Sequence, residues 1–145
     1  NRNSLLIFKR IIENNYDFFW KIINEDITYN ILSTCFQRTL VFTNPSLQNK
    51  DDANITLKII QNIFLKESSS SKLHVLFNDF IKNSGILNQI CNLMQKSCYG
   101  LSSNAFKTFY ICSQNATDAE IISLIQEYPI ICTCIKLIDS EEICC

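Results

Sequence analysis

Apolar residues recur at helical spacing along almost the whole chain, and short polar breaks cut the pattern into segments. Leu5, Leu6, Phe8, Ile11 and Ile12 follow Ser4, which is placed to cap a helix. Asn14-Asn15 ends that segment, and Phe18, Phe19, Ile22 and Ile23 form the next. Asp26 is placed to cap a third, with Ile27, Ile31, Leu32, Cys35 and Phe36 on its apolar side. Periodicity then fails over 38–52, where Asn44-Pro45-Ser46 signals a turn and Gln48 to Asp52 are polar. It resumes with Ile55, Ile59, Ile60 and Ile63, stops at Glu67 and the serines Ser68–Ser71, and continues through Leu73, Leu76, Phe77, Phe80 and Ile81. Gly85 stands where a helix must end and the backbone turn left-handed. Ile86, Leu87, Ile90, Leu93 and Met94 form the next stripe. After a break at Tyr99-Gly100, Leu101, Ala105 and Phe109 stack at i, i+4 and i+8, with Phe106 and Tyr110 beside them. Asp118 is placed to cap a helix with Ile121, Ile122, Leu124 and Ile125. Pro129 suits the first turn of a last helix carrying Ile131, Cys132, Ile135, Leu137 and Ile138.

The segments group in threes. Units over 4–37, 53–96 and 102–139 each hold three helices, with 38–52 as a long loop. Each helix is apolar on more than one side, so one unit cannot hide its own surface but stacked neighbours can. A helical unit recurring at about forty residues predicts an all-α fold, an armadillo/HEAT-like α-α superhelix (a solenoid) of about three repeats in one domain over 1–145. The chain starts Asn1-Arg2-Asn3 and stops at Ile143-Cys144-Cys145, which reads as a fragment of a longer protein.

Composition agrees with helices. Apolar residues make up 47% of the 145 positions, so a packed core is feasible, and 2 Gly with 2 Pro are too few for the turns of a β-sandwich or barrel. Thirteen basic residues are scattered among fourteen acidic ones, for a net charge of −1. No basic stripe is present to neutralise a phosphate backbone, which argues against nucleic acid. No apolar run approaches the ~20 residues of a membrane span. Eight cysteines are many, but Cys35, Cys91, Cys112 and Cys132 sit inside apolar helical patterns, where a free thiol acts as a small buried hydrophobe. That points to a reducing compartment. The sequons Asn54-Ile55-Thr56 and Asn115-Ala116-Thr117 are expected by chance in so asparagine-rich a chain.

Candidate chemistry is sparse, and the sequence predicts no catalytic, cofactor-binding or metal-binding residue. His74 is the one histidine, and no known motif places a nucleophile beside it. Cys132 and Cys134 with Cys144 and Cys145 offer four thiols, but i, i+2 on a helix points two of them to different faces, unlike the C-x2-C turn of a zinc knuckle. Trp20 sits in an apolar helix as a core residue would. Armadillo domains that capture extended peptides carry a ladder of Trp and Asn. Asn62 stands near such a position, but Ile11, Ile12 and Ile111-Cys112 occupy the others.

The second unit carries a more particular pattern: an apolar helix, the break at Ser68–Ser71, Leu76-Phe77-x-Asp79, Gly85-Ile86, and a helix ending near Leu93. It resembles the central helical-repeat domain of regulatory subunit 3 of protein phosphatase 4, the SMEK/Falafel family. Asn3-Ser4-Leu5-Leu6 upstream is similar to the family's helix start, and Ala105 to Ile111 with Gln114-Asn115 come in order, so the resemblance covers about residues 3–128. It implies a non-catalytic scaffold, in nucleus and cytoplasm, that places a phosphatase catalytic subunit on its substrates. Ser103-Asn104-Ala105-Phe106-Lys107-Thr108-Phe109 is also similar to the calcium-binding-protein-39 type of kinase adaptor. A heat-shock chaperone cofactor would share the fold. Neighbouring repeats of a longer chain are the other expected partners.

Overall fold

The computed structural model describes residues 2–23, 26–40, 47–96 and 99–143, and among them every regular element is a helix. In the first third lie α1 (Arg2–Asn14), α2 (Tyr16–Ile23) and α3 (Asp26–Leu40). Asn15 separates the first two: its N–H donates to the Ile11 carbonyl at 2.7 Å while its own carbonyl accepts from Phe18 and Phe19. One residue thus closes one helix and opens the next. Helix α1 begins ahead of Ser4, so that serine lies inside the helix and does not cap it. The residues that would show whether Asp26 caps α3 lie outside the described ones.

Helix α4 (Leu47–Lys66) corrects the expected loop over 38–52. Residues 38–40 belong to α3 and 47–52 to α4, while Asn44-Pro45-Ser46 lie outside the described residues. The cause is tertiary. The Arg2 guanidinium lies 3.0 Å from the Asp51 carboxylate and 3.7 Å from that of Asp52. The Thr56 hydroxyl donates to the Asp52 carbonyl at 2.9 Å and shares a 2.7 Å bond with Thr39 of α3. Contacts of this kind outrank the poor helix propensity of Asn and Asp.

Glu67 closes α4, and its carboxylate accepts from the Ser69 N–H at 3.0 Å. The expected serine break therefore shortens, because α5 (Ser70–Val75) already includes Ser70 and Ser71. Helix α5 runs directly into a π-helical stretch, Leu76–Lys82. The Asn83 N–H reaches the Asn78 carbonyl at 2.9 Å, the i to i+5 bond of that geometry. This reach brings Leu76, Phe77, Phe80 and Ile81 to one buried side. Gly85 has φ +88°, the left-handed conformation expected of it. Gln37 of α3 braces the turn by donating its side-chain amide to the Ser84 carbonyl.

The last third holds α6 (Ile86–Lys96), α7 (Tyr99–Ser113), α8 (Asp118–Glu127) and α9 (Ile130–Ile143). Helix α7 includes Tyr99-Gly100, so the break expected at those two residues is helical instead. The α8 cap is Thr117, not Asp118. The Thr117 hydroxyl accepts from the Glu120 N–H, and the Glu120 carboxylate accepts from the Thr117 N–H at 2.8 Å, a reciprocal capping box. Pro129 precedes α9 instead of sitting in its first turn, and its carbonyl accepts from the Thr133 N–H at 3.1 Å.

Packing has a simple order. Helix α4 lies against α1 and α7, and α6 lies against α3 and α9. Consecutive pairs α3 with α4 and α6 with α7 join the two rows. Phe19, Phe8, Phe36 and Phe80 form an edge-on aromatic chain from α2 through α1 and α3 to the π segment, with centroids 5.8 to 6.1 Å apart. A polar seam joins α4 to α7. The Gln61 amide donates to Asn104 Oδ1 at 2.7 Å and Thr108 Oγ1 at 2.8 Å, and the Asn104 amide donates to Asn54 Oδ1 at 2.9 Å. Gln61 and Thr108 are buried, so these bonds replace lost water.

Candidate protein-docking surface

The middle helices are buried on several sides and the outer ones on a single side. Helix α4 buries Leu57, Ile59, Ile60 and Ile63 around most of its girth, whereas α1 buries only Leu5 and Ile12. Helix α6 buries Ile86, Leu87, Ile90, Cys91, Leu93 and Met94. In the described part of α9 the buried residues are Ile130 and Thr133.

Aligning α6 and α9 on their first residues, Ile86 and Ile130, makes the contrast specific. Ile131, Ile135 and Ile138 then stand opposite Leu87, Cys91 and Met94. The α6 residues are 3%, 1% and 3% exposed; the α9 residues are 57%, 56% and 62% exposed. At i, i+4 and i+7 the three isoleucines form one stripe along the helix. Ile122 and Ile125 on α8 and Tyr110 on α7 are exposed as well. Scattered single apolar residues are normal on a protein surface, whereas three aligned on one helix make a candidate docking stripe.

The α6 stripe shows what such a face does when covered. Residues at the α8–α9 junction lie beside it: the Tyr128 hydroxyl donates to Asn88 Oδ1 at 2.8 Å, and Glu127 is near Cys91. Burial pushes the Cys91 thiol up to about 12, and the nearby Glu127 carboxylate pushes the same way.

Other groups considered from sequence have structural partners. His74 is exposed on α5, with its Nε2 3.1 Å from the Asn78 amide. Glu120 lies close by. The hydrogen bond from the Thr117 N–H holds its carboxyl below the ordinary range, opposed by slight desolvation and aided by the charges of His74 and Lys82. This is a helix cap with neighbouring charges, and the imidazole meets an amide instead of a nucleophile. Half-buried Trp20 carries the Lys72 ammonium 4.9 Å from its ring centroid, a cation–π contact that fastens α2 to α5. Asn62 donates to the Glu13 carboxylate at 3.2 Å, and Lys66 donates to the Glu13 carbonyl at 2.6 Å, so both tie α4 to the end of α1. The Tyr16 hydroxyl donates to Glu67 at 2.7 Å, and its pKa is raised by burial and by that carboxylate.

The cysteines divide. Cys91 and Cys112 are buried as expected, and burial raises the Cys112 thiol too. Cys35 and Cys132 are exposed, which corrects the expectation that they lie in the core. Each falls on the side of its helix opposite the buried residues. Cys134 is half-buried while Cys132 is exposed, so the pair does face different ways. Cys144 and Cys145 lie outside the described residues. Among the described residues no group of three His, Cys, Asp or Glu side chains could hold a metal, and no helix is long and apolar enough to cross a membrane.

Sequence reasoning missed the α9 stripe as a surface. The signal was present: Ile130, Ile131, Cys132, Cys134, Ile135 and Ile138 point around more of the helix than one neighbouring unit can cover. Compared with known protein families, with curated proteins and with solved structures, the chain matches none.

Proposed function

We propose that this chain is a non-catalytic helical-repeat module, a short α-α superhelix of armadillo/HEAT type, whose work is to bind protein. The observation that carries the reading is the exposed stripe Ile131, Ile135 and Ile138 on α9, which packs on α6 as α6 packs on α3. Helices α1 with α4, α4 with α7, α3 with α6 and α6 with α9 lie side by side, which supports stacked units. The ordered polar groups have roles in capping and packing, which supports a scaffold over an enzyme. Free thiols buried at Cys91 and Cys112 suit a reducing compartment such as nucleus or cytoplasm.

The specific partner class we propose is a protein phosphatase catalytic subunit with its substrates, as the resemblance to phosphatase 4 regulatory subunit 3 implies. The residues behind that resemblance serve the fold: Leu76 and Phe77 are buried and Gly85 makes a left-handed turn. A binding experiment tests the assignment. The chain is immobilised, and proteins retained from a cell extract are identified, in parallel with Ile131→Asp/Ile135→Asp. Retention of a phosphatase catalytic subunit by the wild type and its loss from the variant is the expected result. Retention of a kinase or a heat-shock chaperone without the phosphatase would overturn the assignment.

A further inference from the structure

The thirteen basic residues are scattered along the sequence, but packing gathers seven of them on three adjacent helices. Helices α1, α4 and α7 hold those seven and only three of the fourteen acidic residues, in a chain whose net charge is −1. The three acids already face cations: Lys9 lies 3.6 Å from Glu13, and Arg2 lies beside Asp51 and Asp52. Arg10, Lys58 and Lys107 are exposed, and none of them has an ion-pair partner among the described residues.

Direction, level and side place these three cations in one row. The helices run parallel. Arg2 and Glu13 of α1 meet Asp51 and Asn62 of α4 in the same order, and Asn54 and Gln61 of α4 meet Asn104 and Thr108 of α7 in the same order. The hydrogen-bonded partners in these contacts stand 47 to 50 residues apart in the chain. Arg10, Lys58 and Lys107 follow one another at 48 and 49 residues, so they stand at one level. The residues two after and five before each cation are buried: Ile12 and Leu5, Ile60 and Ala53, Phe109 and Ser102. Both offsets lie about 140–160° around a helix, so each cation is on the side away from the core. Lys58 also falls midway between Asn62, which touches α1, and Asn54, which touches α7. Its setting between two flanking helices is complete within the described residues.

We propose that this row is a docking site for an extended acidic segment of a partner protein, with a carboxylate at about every third residue. Adjacent helices pack about 8–10 Å apart, and three residues of an extended chain advance about 10 Å. Successive carboxylates of such a segment therefore meet successive cations, on a face whose own acids are already paired. Nucleic acid fits less well, because a strand carries a charge about every 3.4 Å and three cations match few of them. The site is separate from the α9 stripe and does not depend on which partner that stripe takes.

Fluorescence anisotropy at low ionic strength tests this, using the whole chain and a labelled peptide of about nine residues with glutamate at every third position. The expected result is saturable binding that weakens as salt is added. A peptide of the same composition with its glutamates adjacent should bind less well. Lys58→Glu/Lys107→Glu should lower the affinity about tenfold or more. Lys21→Glu/Lys82→Glu makes the same change of charge outside the row and should lower it far less. All four positions are exposed, so neither variant removes core packing. Circular dichroism checks the fold, and glutamine replaces glutamate in any variant that does not stay folded. Spaced and adjacent glutamates that bind alike, equal losses from the two variants, or no binding by the wild type would each overturn the proposal. So would tighter binding of a single-stranded oligonucleotide of equal charge, which would make the row a nucleic-acid surface. The phosphatase assignment is read from the retention experiment, which leaves these lysines in place, so either reading can fail without the other.

Discussion

At the scale of single residues, a few positions decide more than their surroundings do. Gly85 is one. At φ +88° any Cβ is strained, while the space around it is ordinary, with the nearest atom on Gln37 3.5 Å from where a Cβ would sit. Gly85→Ala should therefore destabilise by about 1–2 kcal/mol through the backbone alone, read as a lower urea midpoint with an unchanged slope. Gln61 is another. Its one amide nitrogen serves Asn104 and Thr108 together, so Gln61→Leu leaves two acceptors unserved beside an apolar side chain and should cost about 1–3 kcal/mol. Cys91 gives a pH signature. Its thiol stays neutral in the folded chain up to about 12 but ionises near 9 when unfolded. A raised pKa of this sign means that the contribution is complete below about 9 and is lost as pH climbs toward 12. Urea unfolding measured across that alkaline range should show falling stability. Cys91→Ala should show a shallower fall, with Cys112 and Tyr16, shifted the same way, sustaining the remainder.

At the scale of elements, local chemistry and long-range packing part company. The α8 start is local. Thr117→Ala removes the acceptor of the capping box and should cost about 0.5–2 kcal/mol, seen as faster amide exchange in the first turn of α8. The same signal, Thr117 with Glu120 three positions on, was legible in the sequence, and naming Asp118 missed it by one position. Other features written in local chemistry were equally legible. Asn14-Asn15 breaks a helix, Gly85 makes a turn, and Ile59, Ile60 and Ile63 mark a buried stripe. The start of α4 was not, because an Asn- and Asp-rich segment becomes helical only when Arg2 and Thr39 are brought to it. Nor was the π stretch, since Leu76, Phe77, Phe80 and Ile81 read as an ordinary helical stripe and differ only in the reach of the backbone bonds. The apolar girth of α9 was legible, but which side of it stays exposed was not. Ile131, Ile135 and Ile138 are apolar like Leu87, Cys91 and Met94, and what separates the two sets is tertiary burial, which the sequence pattern does not carry.

At the scale of the whole molecule, the order of the helices decides what the surfaces can do. Helix α4 packs on α1 and α7, α6 packs on α3 and α9, and the stripe buried on α6 has an exposed counterpart on α9. The same helices could instead wrap into a closed bundle, in which case the exposed isoleucines would be incidental and no direction would exist for a partner to extend. The distinction lies in α1 and α7, which both pack on α4 but are not a packed pair themselves. Pulsed electron–electron distances between spin labels at Arg10→Cys, Lys58→Cys and Lys107→Cys, in a chain whose other labelling thiols are serine, measure it directly. These positions lie exposed on α1, α4 and α7. Packed helices sit about 9 Å apart, so the stack predicts that the α1–α7 separation exceeds each of the other two by close to one helix spacing. Three nearly equal separations would mean that the helices close on one another, and a stacked, open-ended scaffold would be contradicted.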